Sequence, residues 1–352
     1  MIISQTIAEI ANIRAGSVTM VRLKDVAEAC GVSVATVSRA LNGLTNGNKE
    51  RTAMICRTAR DMGYYPNAAA RTLKTSRSSN IGILYEDRMN HEYFSSLMDD
   101  LRSEAERQGY DLTLIGRDCA GYTDSYYDHA RRRNLDGVVV IQADFESVGV
   151  IRLASSDMPT VVIDHVYEGC DCVSSDNEAS LERIVRYAFS RGHRRIAFIT
   201  GQPGAVTRER VSGFYRICAK LGIQVPDGFV REGTYHDPDG CAAAVRDLLK
   251  GKEKPTCILC PDDYSCLGAL WALKAEGVRV PEDVSLVGYD GIRVTRMIRP
   301  RLTTYRQNTG EIARAAVGLL AEAIETPEEH KPRQITVEGT LLEGDTLGEP
   351  AR

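Results

Sequence analysis

The chain has one tryptophan and six phenylalanines among 352 residues, and no apolar run near the roughly 18 to 20 residues that a membrane helix needs. Its first 20 positions hold neither a basic start nor a compact apolar block, so no export leader is read there. A cytoplasmic protein without a membrane partner is expected. Catalytic signatures are missing too: no G-x-x-x-x-G-K-S/T loop, no G-x-G-x-x-G after a strand, no G-x-S-x-G elbow and no H-E-x-x-H. No enzyme and no cofactor are expected. With 43% hydrophobic and 26% charged residues the chain is neither disordered nor collagen-like, and its length leaves room for two or three domains.

Ten cysteines are scattered through the sequence, whereas a disulfide scaffold belongs to small secreted domains; reduced thiols are expected. Cys257 and Cys260 have metal-like spacing but fall in an apolar run that reads as a strand, where residues three apart point to opposite faces. Asp237, Asp239, Asp262 and Asp263 with His236 have no recognised ligand spacing. No metal is expected.

The formal net charge of −4 hides an asymmetry. Residues 21–80 hold ten lysines and arginines against four acids, a net of +6, which leaves −10 for the remainder. A basic module ahead of an acidic body points to a polyanion partner for the first and something else for the second.

In that module Leu23, Val26, Ala27 and Cys30 recur at helical spacing, Gly31 interrupts, and Ser33 can cap a second helix from Val34 to about Leu41. A step of 100° per residue turns Val37, Ala40 and Leu41 inward and leaves Val34, Ala35, Ser38 and Arg39 outward. A third stripe, Ile55, Ala59 and Met62, closes a three-helix core before Gly63. On these residues alone, a helix-turn-helix and a small helical bundle of another purpose both stand.

Four blocks separate them: Leu23-Lys24-Asp25-Val26-Ala27, the run Gly31 to Asn42, Gly63-Tyr64-Tyr65-Pro66-Asn67, and Ala70-Arg71-Thr72-Leu73-Lys74. In order and spacing they resemble the headpiece and hinge of the lactose/galactose repressor (LacI/GalR) family, and a looser likeness continues to about residue 345. The resemblance implies that the second helix lies in the DNA major groove, with Val34, Ala35 and Arg39 reading bases; an arginine can donate two hydrogen bonds to guanine, while the other two offer apolar contact. It implies that Lys24, Ser33, Thr36, Ser38, Asn42 and Tyr64 hold the backbone and fix register. Residues Asn67 to Lys74 are too short and polar to form a stable helix alone. The family's counterpart becomes a hinge helix in the minor groove, which assigns Asn67, Ala70, Arg71, Leu73 and Lys74 to that contact, with Leu73 as the wedge that kinks the duplex. Two wedges imply a homodimer on a pseudo-palindromic double-stranded operator. The run Asn46 to Thr52, with Gly47, departs from the family's usual Val-Ser-x-x-Thr-Arg.

Beyond residue 80, short apolar runs alternate with helical patterns. Ile81 to Leu84, Asp111 to Ile115, Gly137 to Ile141 and Thr160 to Ile163 form one series; Ile196 to Thr200, Val230 to Thr234, Thr256 to Cys260 and Val284 to Val287 form a second. Such alternation reads as an α/β core of two doubly wound parallel sheets. Ligands bind beyond the carboxyl ends of such strands, and the residues there are polar. The resemblance, to a periplasmic-binding-protein-like core, implies effector contacts from Tyr93, Phe94, Asp164 and His165 in one half. From the other it implies Arg210, Tyr235, Asp262 and Asp290. Asp262 stands where the family usually has asparagine; for each aspartate alone, a turn or helix cap is an equal reading. His91, His129 and His193 read as surface or loop residues, and Trp271 as core.

The expected organisation is an extension over residues 1–20 with Met20 as an alternative start, an all-α helix-turn-helix headpiece over 21–66, and a hinge helix with linker over 67–80. The ligand-binding, dimerisation core follows over 81–352, as an N-subdomain of about 81–176 plus 305–332 and a C-subdomain of about 177–304 plus 333–352. The function expected is a transcription regulator, a repressor, switched by a small polar effector. Its dimer face is expected near the helix that begins at Tyr93, with no apolar heptad tail for tetramer formation. A solute-binding protein or an enzyme on the same α/β core is the alternative.

Overall fold

The computed structural model describes residues 21–41, 49–65, 77–86, 91–116, 118–119, 122–123 and 125–350. Asn42 and the hinge residues Asn67, Ala70, Arg71, Leu73 and Lys74 lie outside the described residues. The chain divides into two compact units, residues 1–78 and 79–352.

The first unit carries helices α1 (Leu23–Ala29), α2 (Val34–Leu41) and α3 (Lys49–Asp61). Ser33 starts α2, its Oγ accepting the Thr36 N–H at 3.2 Å, which satisfies one of the free donors of the first turn. Val26, Ala27, Val37, Ala40, Ile55 and Ala59 are buried together, with Leu41, Met62 and Tyr64 packed partly against them. The apolar stripes read from the sequence are thus the surfaces that meet.

The second unit begins with β1 (Asn80–Leu84), α4 (Glu92–Gln108), β2 (Asp111–Ile115) and a short hairpin, β3 (Asp118–Cys119) with β4 (Tyr122–Thr123). It continues with α5 (Tyr126–Arg132), β5 (Gly137–Val140), α6 (Val148–Ala154), β6 (Thr160–Ile163), β7 (Asp171–Ser175) and α7 (Asn177–Ser190). Next come β8 (Ile196–Ile199), α8 (Ala205–Lys220), β9 (Val230–Arg231), α9 (Pro238–Lys250), β10 (Cys257–Leu259) and α10 (Asp263–Ala275). The last elements are β11 (Ser285–Asp290), α11 (Val294–Met297), β12 (Thr303–Arg306), α12 (Thr309–Glu325), β13 (Gln334–Val337) and β14 (Thr340–Leu342).

Two six-stranded sheets result, ordered β13-β7-β6-β5-β1-β2 and β14-β12-β11-β10-β8-β9. All pairs in the first are parallel. In the second, only β12 with β14 is antiparallel. Alternate strand residues feed opposite layers: Val139 packs with α4 and α12, whereas Val138 and Val140 pack with α5 and α6. The second sheet is sandwiched in the same way between α7 with α8 and α9 with α10. Cys257 and Cys260 fall in these two different layers, as the strand period requires. Cys260 instead hydrogen-bonds with Cys241 and Cys266. The bond to Cys260 and burial push the Cys241 thiol far above its usual range, which makes it an inert packing group.

The subdomain boundaries differ from expectation at two places. Residues 305–306 end β12 in the second sheet, and β13 returns to pair with β7 in the first. The chain therefore crosses between lobes three times, at 176, at 307–308 and at 338–339. Backbone pairing, not apolar patterning, decides membership here, because β12 and β13 are short and rich in polar residues. Two crossovers hydrogen-bond each other, Ser175 Oγ donating to Gln307 Oε1.

Of the three histidines read as surface or loop residues, His91 and His193 lie in loops and His129 on α5, and all three are buried. His129 Nδ1 lies 2.7 Å from the Gly116 carbonyl, and His193 bridges Thr256 Oγ1 at 2.9 Å and the Gly348 carbonyl at 3.1 Å. His91 caps α4, accepting the Phe94 N–H at 3.3 Å. Each imidazole satisfies a polar group that would otherwise be buried alone. Trp271, expected in the core, is 63% exposed. It lies on the outer face of α10 near the partly buried Leu267, while Cys266, Ala269, Ala272 and Leu273, with Leu270 beside them, fill the inner face. A helix apolar on both sides has no polar face to give to water. Against α9 it packs at Gly268, where a Cβ atom would come 1.9 Å from the Pro238 carbonyl oxygen. Among the described residues, no helix is long and apolar enough to cross a membrane.

Candidate functional site

On α2 the exposed residues are Val34, Ala35 and Arg39, with Thr36 and Ser38 half-buried between them and the core. Lys24 is exposed on α1, and Tyr64 is half-buried just past α3. The outward set is the one that helical periodicity assigns, so a side chain of any of the three first-named residues can enter a groove without disturbing the three-helix core. Ser33, by contrast, is engaged in its cap and meets Thr36 Oγ1 at 2.8 Å.

In the core, a cavity of 400 Å³ opens between the lobes. Five of the eight residues expected as effector contacts line it: Tyr93 and Asp164 from the first lobe, and Arg210, Tyr235 and Asp290 from the second. Three do not. Phe94 is buried in the first lobe's core, because its neighbour Tyr93 takes the cavity side and adjacent helical residues diverge by 100°. His165 stacks behind the cavity residue Phe145, ring centroids 4.6 Å apart and planes 4° apart, so it backs an aromatic wall. Asp262 caps α10: its carboxylate accepts the Ser265 N–H at 2.9 Å and the His236 N–H at 2.8 Å.

The wall also includes residues outside the expected effector contacts. Glu86, Gln142, Asp144 and Phe145 come from the first lobe, Gln202, Val206 and His236 from the second, and Gln307 from a crossover. Most follow the carboxyl end of a strand, the signal already applied to Asp164 and Asp290. Gln307 follows β12, which carries no continuous apolar run to mark it.

Backbone strain gathers at the same place. Gln142, Asp164, His236 and Asp290 have φ of 43°, 65°, 58° and 99°, a region costly for residues with a side chain and favoured only where surroundings impose it. All four line the cavity.

Arg210 is buried and fixed. Its Nε donates to Asn177 Oδ1 at 2.9 Å and one terminal nitrogen donates to the Pro261 carbonyl at 3.1 Å. Its guanidinium carbon lies 3.5 Å from the centre of the Tyr289 ring, a cation–π contact. Burial works against its charge, but Tyr289, Tyr235, Asp290 and Asp164 outweigh that and hold it protonated.

Burial pushes Asp164 up to about 6 despite the opposing pull of Arg210. Burial, with the charge of Asp262 added, pushes Asp290 up to about 7, and Gln307 donates to it at 2.7 Å. Across this window the folded chain keeps protons that the unfolded chain has released, so stability falls as pH rises from about 4 through the folded value. Asp290→Asn removes one such group and keeps a residue tolerant of positive φ. Its melting temperature relative to wild type is expected to climb by several degrees between about pH 5 and about pH 8, measured on the ligand-free protein by calorimetry. A constant difference across that range would refute the assignment.

Residues 22–67 match the family model described as bacterial regulatory proteins, lacI family, and residues 185–347 match that of a periplasmic binding protein-like domain. The HTH-type transcriptional repressor PurR of Vibrio cholerae serotype O1 (strain M66-2) is 30% identical over 335 residues, covering 93% of this chain and 98% of the relative. A transcriptional regulator CelR–cellobiose complex aligns with a TM-score of 0.66 at 25% identity, covering 93% of this chain and 99% of that one. The lac repressor dimer bound to operator and the anti-inducer ONPF shares the fold, with a TM-score of 0.78 at 23% identity over 94% of this chain and 100% of that one.

Proposed function

Because the chain belongs to the lacI family of bacterial regulatory proteins, we propose that it is a homodimeric transcription repressor whose operator affinity is set by a small polar molecule in the interlobe cavity. The observation that carries this is α2: a helix seated by Val37 and Ala40 that presents Val34, Ala35 and Arg39 outward. In this reading those three contact base edges, and Lys24, Thr36, Ser38, Asn42 and Tyr64 hold phosphates. Ser33 serves the helix first. Asn67, Ala70, Arg71, Leu73 and Lys74 make the minor-groove hinge. Residues 1–20 remain a segment ahead of the headpiece. Two exposed apolar side chains of the second lobe, Trp271 on α10 at 63% and Met297 on α11 at 71%, support the dimer.

The effector is an uncharged or amine-bearing molecule rich in hydrogen-bond donors. Among the described residues, four carboxyl groups, those of Glu86, Asp144, Asp164 and Asp290, and one guanidinium, that of Arg210, line the cavity, a balance that disfavours an anion. Aromatic walls at Tyr93, Phe145 and Tyr235 suit a flat apolar face of the ligand. Ligand and operator bias one lobe-angle equilibrium through the three crossovers, so each must change the other's affinity by the same factor.

Selection from a random duplex pool by the full chain should return a near-palindrome, and its affinity should fall steeply with salt as neutralised phosphates regain their counterions. Selection of no preferred sequence at low salt refutes the reading. Within the selected site, Arg39→Ala is expected to relax preference at one symmetric base pair by about 1 to 3 kcal/mol, read by competition among single-base variants of the operator. An unchanged profile would reassign Arg39 to structure.

A further inference from the structure

Asp262 places a carboxylate at a position only 1% exposed. Its compensation lies outside its own helix. The Asp262 carboxylate accepts the His236 N–H at 2.8 Å and sits 3.6 Å from His236 Nδ1. Burial pushes Asp262 up, but His236 and the Ser265 N–H outweigh it and leave the carboxyl below its usual value. His236, held by this contact in a strained backbone conformation of φ 58°, does not stay within its lobe. Its ring lies on that of His91 from the opposite lobe, centroids 3.8 Å and planes 18° apart. His91 is the N-cap of α4 and leads directly into the cavity residue Tyr93. Beside it, Glu92 of α4 accepts the Arg293 N–H of the second lobe at 2.6 Å. One end of α4 thus touches the second lobe at two consecutive residues.

We propose that the His91–His236 stack, anchored by Asp262, is a latch that holds the two lobes at this angle and sets the resting ratio of closed to open cleft. His91 and His236 are in this sense positioning residues: they act on the cavity by fixing the lobes that form it. A contact made in one lobe angle and broken in the other shifts their ratio by its own free energy. A stacked ring pair has the strength to do so by about twofold to tenfold. Of the other cavity groups, Gln307 also joins the lobes, through Ser175 and Asp290, but from within a crossover and not across the cleft. Arg210 bonds only within the second lobe, and Asp164 accepts the Ser175 N–H in the first.

The test is an interlobe distance in the full-length, ligand-free protein, which does not depend on operator binding. Dyes are placed through unnatural amino acids at exposed Ser155 and Lys252, one in each lobe, and labelled chain is mixed with excess unlabelled chain for single-molecule energy transfer. His236→Ala is expected to raise the open-to-closed ratio by about twofold to tenfold, while His236→Phe, which keeps a ring, stays near wild type. His91→Asn approaches from the other lobe: it preserves a helix cap but removes the ring, and should open the cleft as far as His236→Ala. Two results overturn the latch: a distance distribution unchanged in His91→Asn, or His236→Phe as open as His236→Ala. Either would leave the repressor reading standing.

Discussion

Arg210→Met is expected to weaken effector binding by about 100-fold while operator binding without effector persists. Methionine retains most of the aliphatic bulk but removes the guanidinium that lines the cavity, together with its bonds to Asn177 and Pro261. A second signature accompanies the loss. Because Arg210 lowers both Asp164 and Asp290, its removal should move their titrations upward and carry the fall in stability to higher pH. Isothermal titration of the effector found by screening, alongside melting curves across pH, reads both. A variant that binds effector normally would place the ligand elsewhere in the cleft.

Gly268→Ala is expected to cost about 3 kcal/mol or more, at the severe end of overpacking. The added Cβ meets the Pro238 carbonyl oxygen at 1.9 Å and its carbon at 2.5 Å, backbone atoms that no rotamer change can remove. The α9 and α10 helices must part, which loosens the layer containing Val245, Leu248 and Ala272. Chemical denaturation of the full chain should show the loss, and an unchanged midpoint would contradict the close helix approach. Gly318 on α12 is the control, since nothing lies within 4 Å of a Cβ atom there.

The headpiece was legible because its signals are local. A capping serine, a glycine interruption and apolar positions at helical spacing specify α1 and α2 without long-range information, and Val37 and Ala40 are buried as that spacing requires. The strands of continuous apolar sequence were legible for the same reason. What escaped was long-range or hydrogen-bonded. Thr303 and Thr304 are fully buried in β12, where the Thr303 hydroxyl accepts the Gly344 N–H and the Thr304 hydroxyl accepts the Gly291 N–H; no apolar pattern announces such a strand. Asp262 offered two local readings, cap and ligand, and only the position of His236 separates them. Phe94 and His165 were misplaced by one step along an element, since strand-end logic finds the region of a cavity but not which of two neighbouring side chains enters it.

The threefold passage of the chain between lobes also bears on synthesis. The first sheet cannot bury the face under α12 until residues 309–325 have left the ribosome, and its edge strand β13 arrives later still. A nascent chain stopped before that point would carry a second lobe with both helix layers in place and a first lobe with an apolar layer open to water. A stop codon ahead of residue 309 is therefore expected to leave the first lobe unable to close its core.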